Sequence, residues 1–145
     1  RRARAIGGMS MGGYGAIMLA LRHPDLFRVV CSQSAAIFFA HDPNRRAPGG
    51  VRAFESYLPR GKYDCFTLAR RHRNNPHRLA IRMECGTEDG LLEPNRQFHR
   101  RLEKLNIPHT YVESPGKHSS NYFADHLPDI LQFAANHLPL PKQRK

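Results

Sequence analysis

Apolar positions in this 145-residue chain come in short runs whose spacing alternates between strand-like and helix-like. Arg4-Ala5-Ile6-Gly7-Gly8 reads as the end of a strand. Gly13 to His23 is rich in small residues and places Tyr14, Ile17, Met18 and Leu21 at helical spacing, with Pro24 as its stop. Phe27-Arg28-Val29-Val30-Cys31-Ser32 carries enough β-branched character for a buried strand. Between Ala35 and Asn75 the periodicity weakens under Pro43, Pro48, Gly49, Gly50, Pro59 and Gly61, leaving short helices expected at Val51–Leu58 and Phe66–His72. Leu79–Cys85 is the next strand, closed by Gly86. Glu93–Leu105 is an amphipathic helix with Phe98, Leu102 and Leu105 on one face, Arg96, Arg100, Arg101 and Lys104 on the other, and Pro94 in its first turn. His109–Glu113 is a strand. Ser119 or Ser120 can cap a last helix running to about His137, with Phe123, Leu127, Ile130, Leu131 and Phe133 as its apolar side.

The order β-α-β-(irregular)-β-α-β-α implies parallel strands joined by right-handed crossovers, hence a three-layer α/β architecture. In such sheets the chemistry gathers at the carboxyl ends of the strands. The length suits one domain with a real core. Residues 1–138 are therefore expected to form the C-terminal portion of a single domain, residues 35–77 a lid or substrate-binding insertion on it, and residues 139–145 a basic tail.

Charge and cysteines add limits. The formal charge of +11 is concentrated in arginine clusters such as Arg1, Arg2 and Arg4, Arg70, Arg71 and Arg73, and Arg100 and Arg101. No nucleic-acid motif accompanies these scattered clusters, so they read as a solvated basic surface, and nucleic acid is not the expected partner. The apolar stretch Ala35–Ala40 is broken by His41 and Asp42, well short of a membrane span. Cys31, Cys65 and Cys85 are odd in number and lack metal-ligand spacing, which favours free thiols and a reducing, cytoplasmic compartment.

Gly8-Met9-Ser10-Met11-Gly12 matches G-x-S-x-G and lies between an expected strand and an expected helix. A serine on that turn has its hydroxyl lifted above the sheet at a helix N-terminus. The amide of the next residue, Met11, then faces the oxyanion of an acyl-transfer intermediate. Neither G-x-G-x-x-G nor the P-loop pattern is present, which excludes the common phosphate-binding glycine turns.

A nucleophilic serine needs a base, and the base an orienting carboxylate. Of nine histidines, only His118 follows the carboxyl end of the last strand in a short loop. For the acid, the loop after Leu79–Cys85 offers Glu88 and Asp89. Asp89 is the choice, with Glu88 its rival, while Glu93 is better explained as a favourable charge at a helix N-terminus. The order Ser10, Asp89, His118 is that of α/β-hydrolases. Cys31 and Cys85, as alternative nucleophiles, lie on no glycine turn.

Gly7–Ala16, Cys85-Gly86-Thr87-Glu88-Asp89 and Pro115-Gly116-Lys117-His118 resemble the putative-esterase family. This family includes tributyrin esterases, S-formylglutathione hydrolases, feruloyl esterases and mycolyltransferases, and the chain looks most like the tributyrin- and feruloyl-esterase branch. The likeness covers nearly the whole chain but only the second half of the family's domain. The first strands, and the loop that donates the second oxyanion amide, are expected outside it. The resemblance implies an α/β-hydrolase fold, Ser10 as nucleophile, Asp89 as acid, His118 as base, and hydrolysis of short-chain acyl or feruloyl-type esters. A thioesterase of the S-formylglutathione hydrolase kind or an acyltransferase would use the same residues. A basic binding module without activity is the non-enzymatic alternative. Tyr122 occupies a position often held by tryptophan in relatives and is a candidate substrate contact.

Gln33 and Ser34 end a strand at the same sheet edge and are further candidate substrate contacts. Phe38, Phe39, Phe54, Tyr57 and Leu58 could line an acyl or aromatic pocket. No metal or organic cofactor is implied. The expected partner is a small-molecule ester, and homo-oligomerisation is left open.

Overall fold

The structure, a computed structural model, describes residues 3–37 and 62–139. The strands are β1 (Ala5–Met9), β2 (Val29–Gln33), β3 (Ala80–Gly86) and β4 (Thr110–Ser114). The helices are α1 (Met11–Arg22), α2 (Cys65–His72), α3 (Leu92–Lys104) and α4 (Ser120–His137). All three strand pairings are parallel, in the order β1-β2-β3-β4. The α/β class and the parallel sheet follow the alternation in the sequence. The helix expected at Val51–Leu58 and the aromatic residues Phe38, Phe39, Phe54, Tyr57 and Leu58 lie outside the described residues.

Strand β2 is buried along its whole length and shows how the layers are built. Val30 belongs to the larger core, with Ile17, Ala20 and Leu21 of α1, Leu68 and Ala69 of α2, and Phe98 and Leu102 of α3. Its neighbours Val29 and Cys31 point to the other side, into a smaller cluster with Ile130 of α4. Successive side chains of a strand face opposite ways, so one strand serves both layers. Among the described residues, α1 and α3 pack on one face of the sheet with α2 against both, and α4 packs on the other.

Element ends differ from the sequence expectation where local chemistry decides them. Helix α1 starts at Met11, two residues before Gly13, because it rises directly from the turn at Ser10. Helix α2 is capped by Asp64, whose carboxylate accepts from Phe66 N (3.0 Å) and Thr67 N (3.1 Å). Ser119, not Ser120, caps α4, accepting from Tyr122 N at 3.3 Å. The apolar face expected for α4 needs correction. Tyr122, Phe123 and Ile130 are buried, whereas Leu127 and Leu131 are 44% and 60% exposed, because the smaller cluster occupies only a narrow strip of that helix.

All three cysteines are buried and unpaired. Burial pushes the Cys31 and Cys85 thiols up to about 11, and the Cys65 thiol higher still. Because only the thiolate is nucleophilic, roughly one molecule in a thousand would hold a reactive Cys31 or Cys85 at pH 8. Peptide mapping after brief iodoacetamide treatment at pH 8 is therefore expected to find all three unmodified in the native protein and all three alkylated after denaturation.

Candidate active site

Strand β1 passes into α1 through a single residue, Ser10, with φ 54° and ψ −120°. A left-handed φ on a non-glycine residue costs on the order of 1–3 kcal/mol and persists only when its surroundings over-determine it. Here they do. Ser10 N–H donates to Gln33 O at 2.9 Å, and Ser10 O accepts from Ala36 N at 3.0 Å and Tyr14 N at 3.1 Å. The segment after β2 thus holds both ends of the Ser10 peptide unit. Asn95, fully buried on α3, donates to Ala35 O at 2.8 Å and steadies that segment from behind.

The turn also requires strand and helix to touch. A Cβ on Gly8 would stand 2.5 Å from the backbone C and O of Gly12. Met11 opens α1, so its N–H is one of the first-turn donors that have no helical acceptor.

The loops after β3 and β4 are tied to one another. Thr87 N donates to Ser114 O and Glu88 N to Gly116 O, both at 2.9 Å. Gly116 has φ +146°, and Tyr122 packs against it so closely that an added Cβ would meet the ring at 2.5 Å. In this joined pair of loops Asp89, 6% exposed, accepts from Leu91 N at 2.8 Å through Oδ1. Its Oδ2 lies 2.8 Å from His118 Nδ1, and His118 Nε2 lies 3.0 Å from Ser10 Oγ. A buried carboxylate only accepts, which assigns the ring proton to Nδ1 and leaves Nε2 to accept from the serine hydroxyl. The imidazole is partly exposed and packs edge-on against Phe123, with ring centroids 5.1 Å apart.

Ser10, Asp89 and His118, distant in sequence, therefore meet at the carboxyl ends of β1, β3 and β4. Glu88, the rival acid, is exposed and faces Lys117 at 3.9 Å. Glu93 lies in the first turn of α3 and pairs with Arg100. Cys31 and Cys85 are buried, their thiols raised rather than lowered, which is the reverse of what a nucleophile needs.

The three candidate substrate contacts, Gln33, Ser34 and Tyr122, are buried. Gln33 is 3% exposed and Ser34 fully buried, with Gln33 bonded inside the protein and Ser34 Oγ 3.6 Å from Cys85 Sγ. Tyr122 is 4% exposed, wedged under Gly116 and stacked on His126, and burial pushes its hydroxyl up to about 12. None of these three side chains offers a surface to a ligand. Asn95 and Glu84, both buried and polar, had no motif to announce them. For Glu84 the one available signal was a carboxylate between Met83 and Cys85 in an expected strand, and Asn95, between Pro94 and Arg96, gave none.

A cavity of about 530 Å³ opens at the opposite end of the sheet, where Arg28, Ala80 and Thr110 lie at or beside the strand starts. Among the described residues, no cluster of His, Cys, Asp and Glu is arranged to hold a metal ion, and no helix is long and apolar enough to cross a membrane.

Comparison with solved structures finds this fold repeatedly. A ferulic acid esterase superimposes with a TM-score of 0.76 at 24% identity, over 94% of this chain and 52% of that one. An S-formylglutathione hydrolase from Agrobacterium tumefaciens gives 0.77 at 23% identity, over 95% and 50%. Another from Staphylococcus aureus gives 0.74 at 24% identity, over 90% and 54%. The chain thus spans about half the length of these structures. No curated protein matches it in sequence.

Close packing of β1 on α1 predicts opposite outcomes for two glycines. Gly8→Ala should destabilise the fold by about 1–3 kcal/mol, because backbone must move. Gly15→Ala, with open space around its Cβ, should be neutral or stabilising by up to about 1 kcal/mol. Urea unfolding of both variants measures the difference.

The sequence family described as Putative esterase matches residues 1–134, so this chain belongs to it.

Proposed function

We propose that Ser10, His118 and Asp89 are the catalytic triad of a serine ester hydrolase acting on small-molecule esters with short acyl or feruloyl-type groups. The observation that carries this reading is one imidazole meeting Ser10 Oγ through Nε2 and the buried Asp89 carboxylate through Nδ1. Family membership supports it independently.

In this mechanism His118 Nε2 takes the hydroxyl proton as Ser10 Oγ attacks the ester carbonyl. Asp89 stabilises the imidazolium and keeps its orientation. The Met11 N–H, at the positive end of α1, donates to the oxyanion. His118 then returns the proton to the departing alcohol, and a water molecule, activated by the same imidazole, releases the acid from the acyl-enzyme. A complete oxyanion hole takes a second N–H, assigned in this reading to a loop of the full-length protein other than the one at Ser10. Residues 35–77 are read as a lid or substrate-binding insertion. Two of the similar structures are named S-formylglutathione hydrolases, and a thioester substrate is the second reading.

Full-length protein assayed with p-nitrophenyl esters of increasing chain length, a feruloyl ester and S-formylglutathione tests both readings. Short acyl or feruloyl esters are expected to turn over fastest, and a strong thioester preference would favour the second reading. A fluorophosphonate probe should label the wild type and not Ser10→Ala. Ser10→Ala and Asp89→Asn should each lower kcat by about 10⁴-fold or more. A correctly folded wild-type protein that resists the probe would overturn the hydrolase proposal.

A further inference from the structure

We propose that Gln33 is a positioning residue that ties the Ser10 turn and the His118 support to one buried anchor, the Glu84–Arg82 pair. The inference rests on the triad reading above and adds to it a residue that touches no substrate.

The residues involved lie on the α4 side of the sheet. Gln33 Nε2 donates to Glu84 Oε1 at 2.9 Å and to Phe123 O at 3.1 Å. Arg82 Nη2 donates to Glu84 Oε2 at 2.9 Å. Gln33 and Glu84 are register partners on adjacent strands, and both are buried. A fully buried carboxylate is costly unless paired and hydrogen-bonded. Glu84 is both, held by Arg82 on one oxygen and Gln33 on the other.

Each end of this network leads to one reacting group. Gln33's own carbonyl accepts the Ser10 N–H at 2.9 Å, so any shift of Gln33 displaces the nucleophile's backbone. The next residue, Ser34, has φ 45° and donates its N–H to Glu84 O at 2.8 Å, pinning the strand end to β3 a second time. On the other side, Gln33 holds Phe123 O in the first turn of α4, and the Phe123 ring packs edge-on against His118. A primary amide is the uncharged side chain that supplies two hydrogens from one atom, here one to a carboxylate and one to a helix carbonyl. A leucine of similar size would fill the space and lose both.

The full-length protein carrying Gln33→Leu tests this with p-nitrophenyl acetate. Its kcat is expected to fall about 10- to 100-fold, the scale of a sub-ångström to ångström misplacement, with KM within about twofold of wild type. Gln33→Glu adds a pH signature. The introduced carboxyl can donate to Glu84 only while protonated, so the ratio of variant to wild-type kcat should fall as pH rises from 5 to 8. A folded Gln33→Leu with wild-type kcat, lowered only in thermal stability, would overturn the inference. Should Gln33→Leu fail to fold, Gln33→Glu decides, and a ratio near one throughout would overturn it equally. Ser10→Ala run alongside separates the two proposals. If Ser10→Ala keeps activity the triad reading fails; if it loses activity while both Gln33 variants keep theirs, only the positioning role fails.

Discussion

One backbone constraint organises this molecule: Ser10 stands in a left-handed conformation that its own side chain disfavours. Locally only the first helical bond, from Tyr14 N to Ser10 O, supports that geometry. It is held because the chain leaving β2 captures the Ser10 N–H and C=O together, and because Gly8 lets strand and helix approach closely enough for capture. The sheet therefore does more than bury apolar area. Its β1–β2 pairing, with Met9 opposite Gln33, sets the height at which the serine emerges. Strain at this residue is stored by the most completely buried strand in the fold.

The same logic extends outward through the loops after β3 and β4. Separately each is a short, polar connection of the kind that moves easily. Two backbone hydrogen bonds join them, and the Gly116–Tyr122 contact seats the second on α4. The separation between carboxylate, imidazole and hydroxyl is thus controlled by main-chain contacts, with side chains adding the last bond. On the α4 side of the sheet, a charged and amide network stands where apolar packing would have been simpler. That substitution trades core area for fixed direction, and it leaves α4 with a narrow buried strip and two exposed leucines.

Much of this arrangement was legible in the sequence, for identifiable reasons. Parallel strands put their carboxyl ends on one edge, so knowing the order of elements was enough to select His118 among nine histidines. It was also enough to narrow the carboxylate expected beside it to Glu88 or Asp89. The choice between those two followed from family likeness and position; Asp89 lies 2.8 Å from His118, and Glu88 faces Lys117. The direction of a side chain at a strand end was not legible. Gln33, Ser34 and Tyr122 are near the right edge, but β2 is covered on both faces, which buries Gln33 and Ser34 whichever way they point, and Tyr122 is held against Gly116. Helical periodicity likewise marked Leu127 and Leu131 as apolar without revealing how little of α4 the sheet covers.

The bond between Ser10 and His118 closes a span of 108 residues. During synthesis the serine leaves the ribosome about 5–20 s before the imidazole at ordinary elongation rates. Throughout that interval its hydroxyl has no imidazole beside it, although the loop after β3 that carries Asp89 is made before His118. The contact between serine and imidazole can form only once the crossover from β3 into β4 has been made, so it comes later than the turn that strains Ser10.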